Sequence, residues 1–129
     1  MMKSIPVWKQ ELSDGVHAAR LASLYCCAPA ETASKAARYA AVLDGLEKTF
    51  GSHAEAGLYS APGRTEIGGN HTDHQHGRVL AGSVNIDMIA AAAPNDKNQL
   101  RVQSEGYDLC VIDLNDLEAR KEELSLIHI

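Results

Sequence analysis

The sequence predicts an α+β fold, because two helical segments come first and several strands follow them. The 129 residues are enough for one domain. A hydrophobic content of 45% with 22% charged residues is typical of a globular protein. We therefore expect two N-terminal helices followed by a mixed or antiparallel sheet.

The first half of the chain carries the helical pattern. One helix is predicted over residues 14–25, with Asp14 as its N-cap and a break before Pro29. A second helix is predicted over residues 32–50, and Gly51 is placed to end it. Its apolar residues recur at steps of three and four: Ala36, Tyr39, Ala40, Leu43, Leu46 and Phe50. We expect this stripe to face the core.

The second half of the chain carries the strand pattern. A short strand is predicted over residues 58–61, closed by Pro62 and Gly63, and residues 64–77 are predicted to form a long loop. An antiparallel run of three further strands is predicted over residues 79–93, 100–103 and 109–113, with a turn at residues 94–98. We expect three acidic residues of this region to lie at strand ends and turns: Asp87, Asp113 and Asp116.

Charge and composition exclude several classes of protein. The chain has 12 Lys and Arg against 17 Asp and Glu, a formal net charge of −5, which makes nucleic acid a poor partner. No apolar run reaches the roughly 20 residues that a membrane helix needs. The first residues lack the apolar stretch of a secretory signal, and three cysteines cannot all pair. We therefore expect reduced thiols and a cytoplasmic protein.

The segment over residues 61–77 carries the densest polar chemistry of the chain. Arg64 is its cation, and Gly68 and Gly69 allow a sharp turn or a close approach to a ligand. Four consecutive polar residues follow: Asn70, His71, Thr72 and Asp73. Short polar side chains of this kind suit a polyhydroxyl ligand, because one carboxylate can accept hydrogen bonds from two sugar hydroxyls at once. The pattern therefore predicts a sugar-binding loop.

The same loop also permits a metal-binding interpretation. Four potential ligands fall within six residues: His71, Asp73, His74 and His76. Imidazole with carboxylate would suit zinc or a non-haem iron site. The other histidines have no matching spacing, so the sequence assigns no metal site. A solvated polar loop without a ligand is a third possibility.

Residues 61–73 resemble the N-terminal signature of the galactokinase family, which belongs to the GHMP small-molecule kinases. The family signature reads Gly-Arg-x-Asn-Leu-Ile-Gly-Glu-His-x-Asp-Tyr. The corresponding run in this chain is Gly63-Arg64-Thr65-Glu66-Ile67-Gly68-Gly69-Asn70-His71-Thr72-Asp73-His74. Similarity continues on both sides, from the preceding helix to about Leu117.

The resemblance implies roles for five residues. Arg64 corresponds to the family arginine beside the anomeric hydroxyl of the sugar, where a guanidinium stabilises charge in the transition state of phosphoryl transfer. Asp73 corresponds to the aspartate that accepts hydrogen bonds from galactose ring hydroxyls. His71, Thr72 and Asn70 correspond to adjoining sugar-contact positions.

Several positions depart from the family pattern. Asn70 stands in place of a glutamate, His74 in place of a tyrosine and Glu66 in place of an asparagine. An asparagine can still bind a hydroxyl, but it brings no charge. Galactose therefore stays the expected ligand, with a galactose derivative or a sugar of similar shape left open.

The resemblance also implies a reaction and a fold. The intact parent would transfer the γ-phosphate of ATP to the 1-hydroxyl of α-D-galactose, with Mg²⁺ as cofactor. The fold would be the N-terminal GHMP-kinase domain, which is similar to the ribosomal protein S5 domain 2-like fold. These residues contain no Gly-Leu-x-Ser-Ser phosphate loop, so we expect the chain by itself to be inactive as a kinase. A non-catalytic sugar-binding module is the alternative within the same resemblance.

The end of the sequence sets the expected domain boundaries. Residues 117–123 are charged and helix-prone, whereas residues 124–129 form an apolar end without a cap or turn. We expect residues 1–123 to be a partial galactose-binding domain, the N-terminal fragment of a longer kinase. Residues 124–129 are expected to be a non-native tail, with a genuine C-terminal strand as the other possibility.

Overall fold

The computed structural model describes residues 1–69 and 76–116, and they form an α+β fold. The helices come first: α1 (Ile5–Ser13), α2 (Ala18–Tyr25), a 3-10 turn (Pro29–Glu31) and α3 (Thr32–Phe50). The strands follow: β1 (Gly57–Gly68), β2 (Leu80–Ala92), β3 (Gln99–Val102) and β4 (Cys110–Asp113). The chain divides into two compact units, Met1–Ala93 and Pro94–Ile129. The predicted tail over residues 124–129 lies outside the described residues.

Helix α1 is an element that the sequence pattern does not predict. Pro6 lies in its first turn, where a missing backbone N–H costs nothing, and Trp8 and Leu12 are buried on one face. Asp14 closes this helix, because its backbone N–H donates to the Gln10 carbonyl at 2.8 Å. The prediction that Asp14 begins the next helix is therefore wrong. Gly15, with φ +72°, turns the chain before α2 starts.

Helix α3 confirms the prediction over residues 32–50. Tyr39, Leu43 and Leu46 of the predicted stripe are buried, and Gly51 ends the helix with φ +83°. Among the described residues, the stripe joins a core of nine buried hydrophobic residues: Ile5, Trp8, Leu12, Leu21, Tyr25, Tyr39, Leu43, Leu46 and Ala56. Trp8 is also fixed by its indole N–H, which donates to the Ala56 carbonyl at 2.8 Å. The three helices therefore share one core.

Strands β1 and β2 form an antiparallel hairpin against this core. Leu58 of β1 lies opposite Ala91 of β2, and both pack against the core with Ile89. Alternate residues on the other face are exposed, such as Tyr59 and Met88. The helices therefore cover one face of the hairpin.

Strand β1 is longer than predicted, because Pro62 does not end it. Pairing continues after a register shift, with Arg64 opposite Ser83. The shift leaves the proline, which has no N–H to donate, at an irregular point of the ladder. Gly63 permits the close approach there, since a Cβ would lie 3.1 Å from the Ile86 carbonyl oxygen. The prediction that the loop starts at residue 64 is therefore wrong: Arg64 lies on a strand.

The second unit holds β3 and β4, which confirm the two predicted strands near residues 100–103 and 109–113. They pair antiparallel with each other, with Gln99 opposite Asp113. The predicted three-strand run is wrong, because β2 pairs with β1 and not with β3. All sheet pairing among the described residues is antiparallel. None of the helices within residues 1–69 and 76–116 has the length and apolar character needed to cross a membrane.

A buried carboxylate on β2 joins the hairpin to the helices. Asp87 accepts hydrogen bonds from the hydroxyls of Tyr25 at 2.5 Å and Ser60 at 2.6 Å, and from Arg38 Nη1 at 2.9 Å. Tyr25 also meets the hydroxyl of Tyr39 at 3.0 Å. The prediction that Asp87 lies at a strand end or turn is therefore wrong. It lies inside β2 and contacts α2, α3 and β1.

These contacts set the ionisation of both partners. Burial by itself raises the pKa of the Asp87 carboxyl, but hydrogen bonds from Ser60, Tyr25 and Arg38 outweigh it and lower that pKa to about 2. Burial raises the pKa of the Tyr25 hydroxyl well above its usual value, and the bond to Asp87 raises it further. Asp87 is therefore a carboxylate, and Tyr25 a neutral donor, throughout the physiological range.

We predict that Asp87→Asn removes stability that depends on pH. The pKa of this carboxyl is about 2 in the folded chain against an ordinary 3.8. A lowered pKa stabilises the fold above pH 3.8, and that contribution is lost as the pH falls toward 2. The variant should therefore lose about 2 kcal/mol of unfolding free energy at neutral pH, and progressively less between pH 4 and 2.

Urea unfolding followed by the fluorescence of Trp8, the one tryptophan of the chain, measures this difference. Glu55→Gln is the matched control, because Glu55 is an exposed acidic residue of the same unit and its substitution should change the unfolding free energy little at any pH. A loss in Asp87→Asn that stays constant from pH 7 to pH 2 would contradict the role of the charge.

Candidate functional site

The structure describes one of the five residues predicted to act on a sugar. Arg64 lies on β1 and is described fully. The four predicted sugar contacts, and His74 with them, lie outside the described residues: Asn70, His71, Thr72 and Asp73. Their roles stay predictions. The geometry of the site is therefore that of Arg64 and of the hairpin end that carries it.

Arg64 presents its guanidinium to solvent from a paired strand. Its side chain is 71% exposed, and Nη2 donates to Glu66 Oε1 at 3.0 Å. Residues two apart on a strand share one face, which explains the contact between Arg64 and Glu66. The guanidinium is therefore accessible to a ligand, whereas the backbone of Arg64 is held by the sheet.

Glu66 is a candidate that the sequence pattern does not identify. Its side chain is only 18% exposed. Oε1 accepts a hydrogen bond from Arg64 Nη2, whereas Oε2 is buried and has no hydrogen-bond partner among the described residues. A buried carboxylate oxygen is normally hydrogen-bonded. The available signal in the sequence is that a carboxylate stands where the family signature has an amide.

The strand opposite the pair offers small side chains. Ser83 lies opposite Arg64, and Ala81 lies opposite Glu66. Directly opposed residues of an antiparallel pair share a face of the sheet. Arg64 and Glu66 are therefore the charged members of a four-residue patch whose other members are small.

The end of the hairpin brings the two sides of the polar segment together. Gly69 has φ +81°, and a Cβ on it would lie 2.0 Å from the Arg78 carbonyl oxygen. A side chain at Gly69 would therefore collide with the backbone of Arg78. This contact brings Gly69, which directly follows the strand that carries Arg64 and Glu66, next to Arg78, which lies shortly before β2.

The metal-binding interpretation gains nothing from the described geometry. His76 is the one member of its four proposed ligands that the structure describes, and it is exposed with φ +60°. No group of three or more His, Cys, Asp or Glu residues in the described parts of the chain is arranged to hold a metal. The other three proposed ligands lie outside those parts.

A known family signature matches the part of the chain that forms this hairpin. The galactokinase galactose-binding signature matches residues 46–94. That stretch begins near the end of α3, contains the whole hairpin with Arg64 and Glu66, and ends where the second unit begins.

Curated relatives give the same result over a longer stretch. A galactokinase of Ligilactobacillus salivarius (strain UCC118) is 35% identical over 83 residues, which cover 62% of this chain and 21% of that protein. A galactokinase of Lactococcus lactis subsp. cremoris (strain MG1363) is 31% identical over 87 residues, 65% of this chain and 22% of that protein. A third galactokinase, of Streptococcus suis (strain 05ZYH33), is 34% identical over 71 residues, which cover 53% of this chain and 18% of that protein.

The matched region spans about a fifth of the length of these relatives. No solved structure was found to match the chain. The family signature and the curated relatives both point to galactokinases. The resemblance predicted from residues 61–73 is therefore confirmed: this chain carries the galactose-binding signature of galactokinases.

Proposed function

We propose that this chain is the galactose-binding part of a galactokinase-like sugar kinase. The observation that carries the proposal is the match of the galactose-binding signature to residues 46–94, with Arg64 exposed on the hairpin at its centre. An accessible guanidinium held on a paired strand can stabilise the negative charge that develops when a phosphoryl group is transferred to a sugar hydroxyl. The similarity to proteins named galactokinase supports the same proposal.

The parent protein would transfer the γ-phosphate of ATP to the 1-hydroxyl of α-D-galactose. Mg²⁺ would neutralise charge on the phosphates during this step. The residues that hold ATP and the metal would come from parts of a galactokinase that these 129 residues do not contain. The protein would act in the cytoplasm on a small sugar, without nucleic acid or membrane.

Each predicted site residue has a distinct task in this proposal. Arg64 would lie beside the 1-hydroxyl and stabilise negative charge as the phosphoryl group is transferred. Asp73 would accept hydrogen bonds from two ring hydroxyls. A sugar with the wrong stereochemistry would leave the carboxylate unpaired, so the site would discriminate against it. Asn70, His71 and Thr72 would complete the hydrogen bonds to the ring.

The proposed fold follows from the same resemblance. Helices on one side of an antiparallel hairpin are compatible with part of a GHMP-kinase domain of the ribosomal protein S5 domain 2-like type. Residues 1–123 as a partial sugar-binding domain, and residues 124–129 as a non-native tail, remain part of the proposal. The matched signature favours this function over a metal-binding protein or a non-catalytic module.

We predict that two neighbouring substitutions affect galactose binding very differently. Asp73→Asn should weaken binding by about tenfold or more, since a charge-assisted hydrogen bond is worth roughly 1.5–3 kcal/mol. His74→Ala should weaken it by less than about threefold, because the family tyrosine at this position is already replaced. Isothermal titration of the 129-residue chain with galactose measures both affinities.

His74→Ala is the matched control for damage to the loop, since it removes a polar side chain from the next position. Equal losses in the two variants would contradict the role assigned to Asp73. Stoichiometric binding of Zn²⁺ that both substitutions abolish would favour the metal-binding interpretation instead.

We also predict that this chain by itself makes no galactose 1-phosphate. Phosphoryl transfer needs a loop that holds the ATP phosphates, and these residues contain no Gly-Leu-x-Ser-Ser run. Incubation with ATP, Mg²⁺ and galactose, followed by chromatography of the sugar, should give no product above the protein-free blank. Turnover by the purified chain that Arg64→Ala abolishes would contradict this expectation.

A further inference from the structure

The two carboxylate oxygens of Glu66 have different surroundings. Oε1 accepts from Arg64 at 3.0 Å, while Oε2 is buried without a hydrogen-bond partner among the described residues. Leaving an acceptor buried and unpaired is unfavourable, and more so when the group is charged. Such an oxygen in a native protein calls for an explanation, and a ligand that donates to it is one.

The surroundings of Glu66 favour a small polar ligand. The residues opposite the pair, Ala81 and Ser83, have short side chains and are exposed. Arg64 reaches out to solvent, with 71% of its side chain exposed, whereas Glu66 lies deeper, with 18% exposed. A group bound to the guanidinium therefore lies close to the Glu66 carboxylate, whose Oε1 is 3.0 Å from Arg64 Nη2.

We propose that Glu66 is a positioning and specificity residue of the sugar site. Its Oε1 holds the guanidinium of Arg64, and its Oε2 accepts a hydrogen bond from the sugar hydroxyl beside Arg64, the 1-hydroxyl. This inference rests on the proposed galactose-binding function and adds a residue to it.

The chemistry of a carboxylate makes this contact selective. An ionised carboxylate only accepts hydrogen bonds, whereas the amide of the asparagine in the family signature both donates and accepts. A sugar hydroxyl that donates a hydrogen bond to Oε2 would give this acceptor its partner. A sugar without that hydroxyl would leave Oε2 unpaired, and a buried acceptor left unpaired discriminates strongly between ligands.

The pair also explains how Arg64 can be held and still respond to a ligand. An ion pair with one exposed partner contributes little to stability, so the guanidinium is oriented but can still move to meet a ligand. Both residues lie on one paired strand, which positions side chains more precisely than a loop does.

The test compares two sugars on the 129-residue chain and its Glu66→Gln variant. The probes are galactose and 1,5-anhydro-D-galactitol, which lacks the 1-hydroxyl. We expect Glu66→Gln to weaken galactose binding by about tenfold, as for the loss of a charge-assisted hydrogen bond. Binding of 1,5-anhydro-D-galactitol should change by less than twofold.

The matched control is Glu55→Gln, the same chemical change at an exposed glutamate of the same unit. It should leave both affinities unchanged, and Trp8 fluorescence should show that both variants are folded. Equal losses for the two sugars in Glu66→Gln, or no loss for either, would overturn the assignment of Oε2 to the 1-hydroxyl.

A second measurement tests the hold on Arg64 without any sugar. In the free chain, the side-chain Nε–Hε resonance of Arg64 should move toward the position of an unpaired arginine in Glu66→Gln and stay in place in Glu55→Gln. An unmoved resonance in Glu66→Gln would overturn the positioning role. If the unchanged chain binds no galactose, the proposed function and the acceptor role of Glu66 both fail, and the Arg64 resonance alone decides the positioning role.

Discussion

The buried carboxylate of Asp87 is the constraint on which the larger unit depends. A charge taken out of water is tolerated only when donors surround it, and here they come from Tyr25 on α2, Arg38 on α3 and Ser60 on β1. These donors fix the distance between two helices and both strands of the hairpin. Apolar packing gives this unit its stability, but it is less directional than a carboxylate with three partners. The carboxylate therefore sets the orientation in which the hairpin leaves the core.

The β1–β2 hairpin extends from the core to the candidate site and positions Arg64 there. Beyond Asp87 the two strands shift register near Pro62 and then pair again, so Arg64 is held by a sheet and not by a loop. The ion pair with Glu66 and the tight contact between Gly69 and Arg78 complete this end of the hairpin. A guanidinium that must meet a developing charge gains from such a rigid base, because little reorganisation is needed when the reaction occurs. The same hairpin is the centre of the stretch that carries the galactose-binding signature.

How much of this could be predicted from sequence depended on the range of the interactions. Helix α3 was predictable because its apolar period and terminal glycine are local signals, and β2 because its apolar run is long. Helix α1 spans only nine residues, too short for a clear period, and the sequence predicts a loop at Arg64 because a Pro-Gly pair is more common in turns. The partners of Asp87 lie 62, 49 and 27 positions away, so its role has no local signal. The roles of Asn70 to Asp73 came from resemblance, since single residues of these types carry no sugar-specific pattern.

The central claim is that this chain binds galactose at the end of the hairpin that carries Arg64. Titration of the ¹⁵N-labelled chain with galactose, followed by backbone amide chemical shifts, tests it most directly. We expect saturable shifts at Arg64, Glu66 and the segment from Gly69 to Arg78, with β3 and β4 unchanged. Saturable shifts confined to β3 and β4, or no shifts at millimolar galactose, would contradict the claim.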